Sequence, residues 1–280
     1  MVRARKRFGQ HFLEPAWVDK VIRLVGPTAD QTFLEIGPGR GALTRSLAPL
    51  ARHVLAYEID RDLAAELRSA RLANVTVIDA DFLTVGVDDV RAALAPTGGL
   101  GALRVAGNLP YNVASPMLFR LVQMFEGGLP LVDATVLLQR EVAARLAASP
   151  GTRDYGVLSI LLGMSASVER QLTLPPGAFR PVPKVTSSVV RLRFRPAPYL
   201  PSNRRLFGSL IQAVFSQRRK TLKNALKSFP PARQLPPALA LTRAGLDGGR
   251  RPETLTPAEL ARLADVIGEA LGHESLARRE

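Results

Sequence analysis

The sequence predicts an α/β protein in which a mostly parallel sheet is followed by a small carboxyl-terminal helical domain. Three observations carry that expectation. Short apolar runs alternate with helical stripes over the first half of the chain, and a glycine-rich turn follows the first of these runs. Beyond a proline-broken segment, two amphipathic stripes appear with no strand pattern between them.

Residues 32–36, 54–58, 75–78, 104–106 and 134–138 read as strands, and the helical patterns between them imply crossover connections. Leu63, Leu67 and Ala70 follow Asp60 at helical spacing, and Ser115-Pro116 has the form of a helix opening, a cap followed by a preset first turn. After Asp154 the runs 157–165, 168–172 and 188–194 look strand-like, which would add antiparallel strands to one edge. The three prolines of residues 195–201 can continue neither ladder nor helix. The boundary therefore falls there, giving a sheet domain over 1–198 and a helical domain over 199–280. In the latter, Leu206, Phe207, Leu210, Ile211, Val214 and Phe215 form one apolar stripe, and Leu260, Leu263, Val266, Ile267 and Leu271 form another. Thr256-Pro257-Ala258-Glu259 opens the second with a capping box.

Composition removes several chemistries. With 280 residues, 46% of them apolar, the chain can bury a core, and with no cysteine it has neither disulfides, nor a thiolate nucleophile, nor a zinc–thiolate site. Three scattered histidines argue against a His-based centre, so no metal is expected. The basic amino terminus lacks the apolar run of a signal peptide, and the longest nearly apolar stretch, 156–168, falls short of the ~20 residues that span a bilayer. A soluble, cytoplasmic, monomeric protein without a membrane partner is the expectation.

Charge is distributed unevenly. Lys and Arg number 38 against 24 Asp and Glu, yet residues 170–246 hold 15 of the basic residues and no acidic one. Such a surface gains affinity for a polyanion through counterion release, although a merely solvated basic face has the same composition.

The segment Phe33-Leu-Glu-Ile-Gly-Pro-Gly-Arg-Gly-Ala42 runs from an apolar strand through Gly37, Gly39 and Gly41 into a helical pattern. Glycines there allow a tight turn and close backbone approach to a ligand, and Glu58, ending the next strand, is suited to a ribose diol. A nucleoside site follows. The same spacing satisfies the dinucleotide fingerprint, so an NAD oxidoreductase remains open at this point, disfavoured only by the lack of a proton-relay residue. Asp81, after the third strand, can accept from an adenine amine or simply organise a turn, with Phe82 packed beside it.

Gly107-Asn-Leu-Pro-Tyr-Asn112 follows the fourth strand, where open parallel sheets bind ligands. It joins an amide, a rigid kink and an aromatic face, the parts that hold an amino-substituted planar ring. An exocyclic adenine amine is a poor nucleophile because its lone pair is delocalised. Hydrogen bonds accepted from both amine protons, by the Asn108 side-chain oxygen and by the carbonyl of Leu109 or Pro110, would draw the nitrogen toward tetrahedral geometry, with Tyr111 stacked on the ring. Against a sulfonium methyl donor, orientation contributes most of the catalysis and no strong base is required.

With these residues in view, the chain resembles the ribosomal RNA adenine dimethyltransferase family, in particular its bacterial small-subunit, KsgA-like members. The matching elements are Phe8-Gly-Gln-His-Phe-Leu13, Glu35 to Gly41, Glu58, Asp81, Asn108-Leu-Pro-Tyr111, Phe179-Arg-Pro-Val-Pro-Lys-Val-Thr-Ser187 and Phe215-Ser-Gln-Arg-Arg-Lys-Thr-Leu-Lys-Asn224, in that order over nearly the whole length. The resemblance implies a Rossmann-like class I methyltransferase domain that uses S-adenosyl-L-methionine. It assigns donor contacts to His11, Leu13, Gly37, Glu58, Asp81 and Asn108, and a base sandwich to Tyr111 and Phe179. Family members often carry asparagine in place of His11, where a backbone contact would survive the change. Arg218, Arg219, Lys220 and Lys223, in the acid-free span, are expected to grip rRNA phosphates. The implied substrate is a pair of adjacent adenosines near the 3′ end of 16S rRNA in the maturing small subunit. Related alternatives are a 23S rRNA enzyme of the macrolide-resistance type and a non-catalytic assembly factor.

Overall fold

The computed structural model describes residues 10–99, 101–233 and 235–277, so Phe8 and Gly9 of the amino-terminal motif lie outside the described residues. Two compact units emerge. One holds the chain up to Ala144 together with Ser165–Arg195, and the other holds Arg145–Met164 together with the chain from Pro196 onward.

The first unit opens with β1 (Phe12–Leu13) and α1 (Pro15–Val25). Regular alternation follows: β2 (Thr32–Ile36), α2 (Ala42–Leu47), β3 (His53–Glu58), α3 (Arg61–Ser69), β4 (Val75–Asp79), α4 (Val87–Leu94), β5 (Leu103–Asn108), α5 (Ala114–Glu126), β6 (Leu131–Gln139) and α6 (Arg140–Leu146). After α7 (Val157–Gly163), which belongs to the second unit, come β7 (Ala166–Leu174), β8 (Phe179–Arg180) and β9 (Ser187–Phe194). Seven strands form one sheet in the order β4-β3-β2-β5-β6-β9-β7, and β1 pairs separately with β8. Strands β2 to β6 run parallel, while β9 lies antiparallel to both β6 and β7. The expected parallel sheet with antiparallel additions at one edge is thus present.

Every residue of β3 is buried, as is every residue of β2 after Thr32, which is why these strands read as unbroken apolar runs. Order reverses between β2 and β5, whose carboxyl ends form the crevice where such sheets bind ligands. Their approach is close: a Cβ on Gly107 would lie 2.7 Å from the Ile36 carbonyl oxygen. At the opposite end of β5, Arg104 reaches Asp133 with two bonds of 2.8 Å and also donates to the Val25 and Gly26 carbonyls and the Gln31 amide oxygen. This buried pair ties α1 to the sheet's amino-terminal edge.

In the second unit, α8 (Arg204–Ser216), α9 (Leu222–Leu226), α10 (Pro237–Arg243) and α11 (Pro257–Ala277) enclose a core of Phe207, Leu210, Ile211, Val214, Leu260, Leu263 and Ile267. The predicted capping box forms, with Glu259 N–H donating to Thr256 Oγ1 at 3.2 Å and Thr256 N–H to Glu259 Oε2 at 2.7 Å. No described helix is long and apolar enough to cross a membrane.

Three expectations need correction. Residues 157–163 form the helix α7, because Ser159 Oγ accepts the Gly156 N–H at 3.2 Å as a cap and a short continuous apolar run has no strand periodicity of its own. That helix and its flanks contribute Tyr155, Ile160 and Met164 to the helical core, so residues 145–164 group with the second unit instead of with the sheet domain bounded at 198. Helix α5 begins two residues early, with Val113 as its cap, which puts Ser115 and Pro116 inside its first turn, where a proline still forfeits no intrahelical bond.

Candidate functional site

At the end of β2 the chain passes through Gly37, Gly39 and Gly41 with φ of 67°, 58° and 78°, a left-handed path that a side chain would strain. The turn is fastened to β3. Gly37 N–H donates to the Tyr57 carbonyl at 2.9 Å and Gly39 N–H to Glu58 Oε2 at 2.8 Å, while Asp60 N–H donates to Glu58 Oε1 at 3.0 Å. Glu58 is only 4% exposed; burial pushes its carboxyl upward, against the pull of these backbone donors. Each oxygen retains acceptor capacity toward a diol.

Glu35, within the glycine-turn motif, carries no role in the local sequence pattern. Its side chain is 1% exposed, borders a cavity that Glu58 also lines, and has an Oε2 atom without a hydrogen-bond partner among the described residues. Burial, partly offset by hydrogen bonding from Thr44 and reinforced by Glu58's charge, pushes this carboxyl up to about 7. A lone acid inside an apolar strand was the available signal.

Beyond β4, Asp81 Oδ1 accepts the Leu83 N–H at 3.0 Å, so one oxygen organises the turn. Phe82 is buried with its ring tilted against Tyr57 at 6.0 Å. Asn108 ends β5 and donates from Nδ2 to the His11 carbonyl at 2.7 Å. Its Oδ1 then faces away as an acceptor without a partner among the described residues. Pro110's carbonyl accepts the Val113 N–H at 3.1 Å, whereas the Leu109 carbonyl is unengaged among the described residues. The Leu109 side chain is a core group. Tyr111 shares a 2.5 Å hydrogen bond with Ser187 Oγ and lies under the His11 ring, the centroids 5.5 Å apart and the planes 23° from parallel. Burial pushes the tyrosine hydroxyl upward, opposed by the Ser187 bond.

A cavity of about 270 Å³ brings together His11, Leu13, Gly37, Glu58, Asp81, Asn108, Leu109, Pro110 and Tyr111. Phe179 does not border this cavity: in the β1–β8 ladder it pairs with Leu13, and its side chain is 0% exposed in an apolar cluster that also holds α1 residues.

In the second unit, Arg218 and Arg219 border a cavity of about 370 Å³ together with Arg153 and Arg251. Arg218 donates to the Arg153 carbonyl at 2.9 Å, and none of the four arginines has an ion pair among the described residues. Lys220 and Lys223 are exposed but do not border it. Sequence reasoning missed Arg153 and Arg251, each distant in sequence from the basic run that drew notice.

The chain is similar to known proteins over most of its length. Residues 1–268 match the family described as ribosomal RNA adenine dimethylase. A protein named ribosomal RNA small subunit methyltransferase A from Anaeromyxobacter sp. (strain K) is 43% identical over 271 residues, 95% of this chain and 94% of that one. A namesake from Methylibium petroleiphilum is 45% identical over 233 residues, 82% of this chain and 86% of the relative. Among solved structures, the 23S rRNA methyltransferase ErmE superposes with a TM-score of 0.62 at 28% identity, covering 92% of this chain and 99% of its own. A dimethyladenosine transferase from Plasmodium falciparum shares the fold, with a TM-score of 0.75 at 23% identity over 93% and 98% of the two chains. The Rossmann-like sheet, the acid-lined glycine turn and the Asn108–Tyr111 corner therefore belong together: this chain is a member of the ribosomal RNA adenine dimethylase family, an rRNA adenine dimethyltransferase.

Proposed function

We propose that the protein transfers methyl groups from S-adenosyl-L-methionine to the N6 amines of two adjacent adenosines near the 3′ end of 16S rRNA, acting as a cytoplasmic monomer on the maturing small subunit. The observation that carries this reading is the orientation of Asn108, whose amide nitrogen is committed to the His11 carbonyl so that its oxygen is left as an acceptor at the mouth of an acid-lined cavity.

The cavity suits the donor. Glu58 offers carboxylate acceptors to a ribose, and Asp81 has a second oxygen for an adenine amine. When bound, the sulfonium supplies an electrophilic methyl carbon. The protein's work is then to prepare the nucleophile: Asn108 Oδ1 and the Leu109 carbonyl accept hydrogen bonds from the two amine N–H groups, which localises the nitrogen lone pair, one proton passing to solvent as each N–CH3 bond replaces the donor's S–CH3 bond, and Tyr111, braced by Ser187, fixes the ring plane. Reaching that corner requires the adenine to leave its stack. Arg218, Arg219, Lys220 and Lys223, joined by Arg153 and Arg251, hold the surrounding phosphates.

Support for the small-subunit substrate comes from the names of relatives above 40% identity, against 28% for the 23S rRNA enzyme. Incubating the protein and radiolabelled donor with immature 30S particles, 50S particles and free rRNA, then mapping the label, tests the assignment. Dimethyladenosine in small-subunit RNA is the expected product; label confined to 23S rRNA would overturn the substrate, and donor binding without transfer would favour an assembly factor.

A further inference from the structure

The turn that carries Asp81 is shaped by one set of bonds and anchored by another. Within it, the Asp81 carbonyl accepts the Thr84 N–H at 2.9 Å and the Thr84 hydroxyl at 2.8 Å, and the Phe82 carbonyl accepts the Val85 N–H at 3.3 Å. With the bond from Leu83 N–H to Asp81 Oδ1, these contacts fix the turn's internal form and leave open where it stands. Hydrogen bonds among the described residues fasten residues 80–85 to the rest of their unit at two places. Ala80 N–H donates to the Glu58 carbonyl at 3.1 Å, extending the β3–β4 pairing. At the far end, Arg120 of α5 donates from Nε and Nη2 to the Val85 carbonyl at 2.8 and 2.5 Å.

Arg120 is partly buried, its Nη1 donates to Gln123 Oε1 at 3.3 Å, and no carboxylate pairs with it among the described residues. A guanidinium fork matches a carboxylate; here two of its donors converge on one main-chain oxygen and use both lone pairs. Three residues earlier on the same helix, Met117 lines the cavity that Asp81 borders. Helix α5 thus walls the cavity and also sets where the turn stands beside it. Phe82 and Val85 are buried, and Asp81 is the residue of this turn that brings a charge to the cavity.

We propose that Arg120 is a positioning residue for donor recognition: by holding the Val85 carbonyl it sets the Asp81 carboxylate at the depth where its second oxygen meets the 6-amine of the donor's adenine. This rests on the reading of Asp81 given above. Arg120 touches no substrate and acts through the turn. A carboxylate selects an amine over a carbonyl at that ring position only within hydrogen-bond reach, so a small displacement of the turn weakens discrimination between the two. Lysine, a compact charge without the planar fork, engages the Val85 carbonyl through one donor and holds the turn less firmly.

The test titrates the full chain calorimetrically with S-adenosylhomocysteine and with S-inosylhomocysteine, which carries an oxygen in place of the 6-amine. Wild type, Arg120→Met, Arg120→Lys, Asp81→Ala and the double variant of Arg120→Met with Asp81→Ala are compared. Arg120→Met should weaken S-adenosylhomocysteine by about tenfold, the scale of one charge-assisted hydrogen bond, and the inosyl ligand by less than about twofold, so that the ratio of the two Kd values shrinks. Arg120→Lys should restore part of that ratio, and in the Asp81→Ala background the loss caused by Arg120→Met should vanish. Equal weakening of both ligands marks a structural role and overturns the proposal, as does an unchanged ratio in Arg120→Met or losses that multiply in the double variant. Should Arg120→Met fail to fold, Arg120→Lys decides: a reduced ratio supports the proposal and a wild-type ratio overturns it. A ratio that Asp81→Ala leaves unchanged overturns the reading of Asp81 itself, an outcome distinct from one in which Asp81→Ala erases the ratio and the Arg120 variants leave it intact.

Discussion

Asn108 Nδ2 donates to the His11 carbonyl oxygen across 97 positions of sequence, at 2.7 Å. That bond selects which end of the amide faces the acceptor. Replacing Asn108 by Ala should lower kcat by at least about 100-fold, the usual cost of losing one preorganised polar group, with a much smaller effect on donor affinity. Asn108→Asp should fare no better, since it sets a carboxylate oxygen against the His11 carbonyl. Single-turnover methyl transfer and donor titration check both; normal turnover by either variant contradicts the role.

Tyr111 depends on Ser187 for its brace. Tyr111→Ala should weaken acceptor binding by about 1–3 kcal/mol, the range for one base stacked on an aromatic ring. Ser187→Ala should have a milder effect of the same sign, seen in KM for the RNA and absent from donor binding.

Glu35 ties stability to pH. Its folded-state carboxyl is raised from 4.5 to about 7 by burial, so between these values the folded protein binds more protons than the unfolded chain, and stability falls as pH rises. The stabilisation is fully present below about pH 4.5 and lost by about pH 7, and the full shift corresponds to on the order of 3 kcal/mol. Glu58, shifted in the same direction, adds to the trend. Urea melts of Glu35→Gln and wild type at pH 5 and pH 8 should show a flatter dependence in the variant; identical slopes would contradict it.

Asp133 is the carboxylate that satisfies buried Arg104, with Arg191 also 3.7 Å away. Asp133→Ala strands those guanidinium groups and should cost about 3–5 kcal/mol in chemical denaturation. A loss below 1 kcal/mol would show that the pair is dispensable.

For the four-arginine cavity, each phosphate contact removed should reduce the salt dependence of RNA binding by about 0.7–0.9 in the log–log slope. Arg153→Ala and Arg251→Ala should each do so, as should Arg218→Ala, without altering donor affinity. Filter binding across a salt series distinguishes this from a general loss of fold.

Much of the sheet was legible because fully buried parallel strands leave unbroken apolar runs and their crossover helices leave stripes. The glycine turn with Glu58, the Asn108–Tyr111 corner and the capping box at Thr256 were legible for a related reason: each is a local arrangement whose chemistry is carried by neighbouring residues or by fixed positions at strand ends. Residues 157–163 were not, since a short apolar run packs equally well as a strand or a helix until its partners are known.

The sequence by itself determined the strand–helix alternation of the parallel sheet, the nucleoside-type turn and the kind of groups gathered at the reactive corner. Tertiary structure decided which faces those groups show. It buried Phe179 in a cluster with α1, laid His11 over Tyr111, and drew Arg153 and Arg251 to Arg218 and Arg219. Side-chain direction depends on contacts between residues far apart in the chain, and no local pattern of residue types encodes those distances.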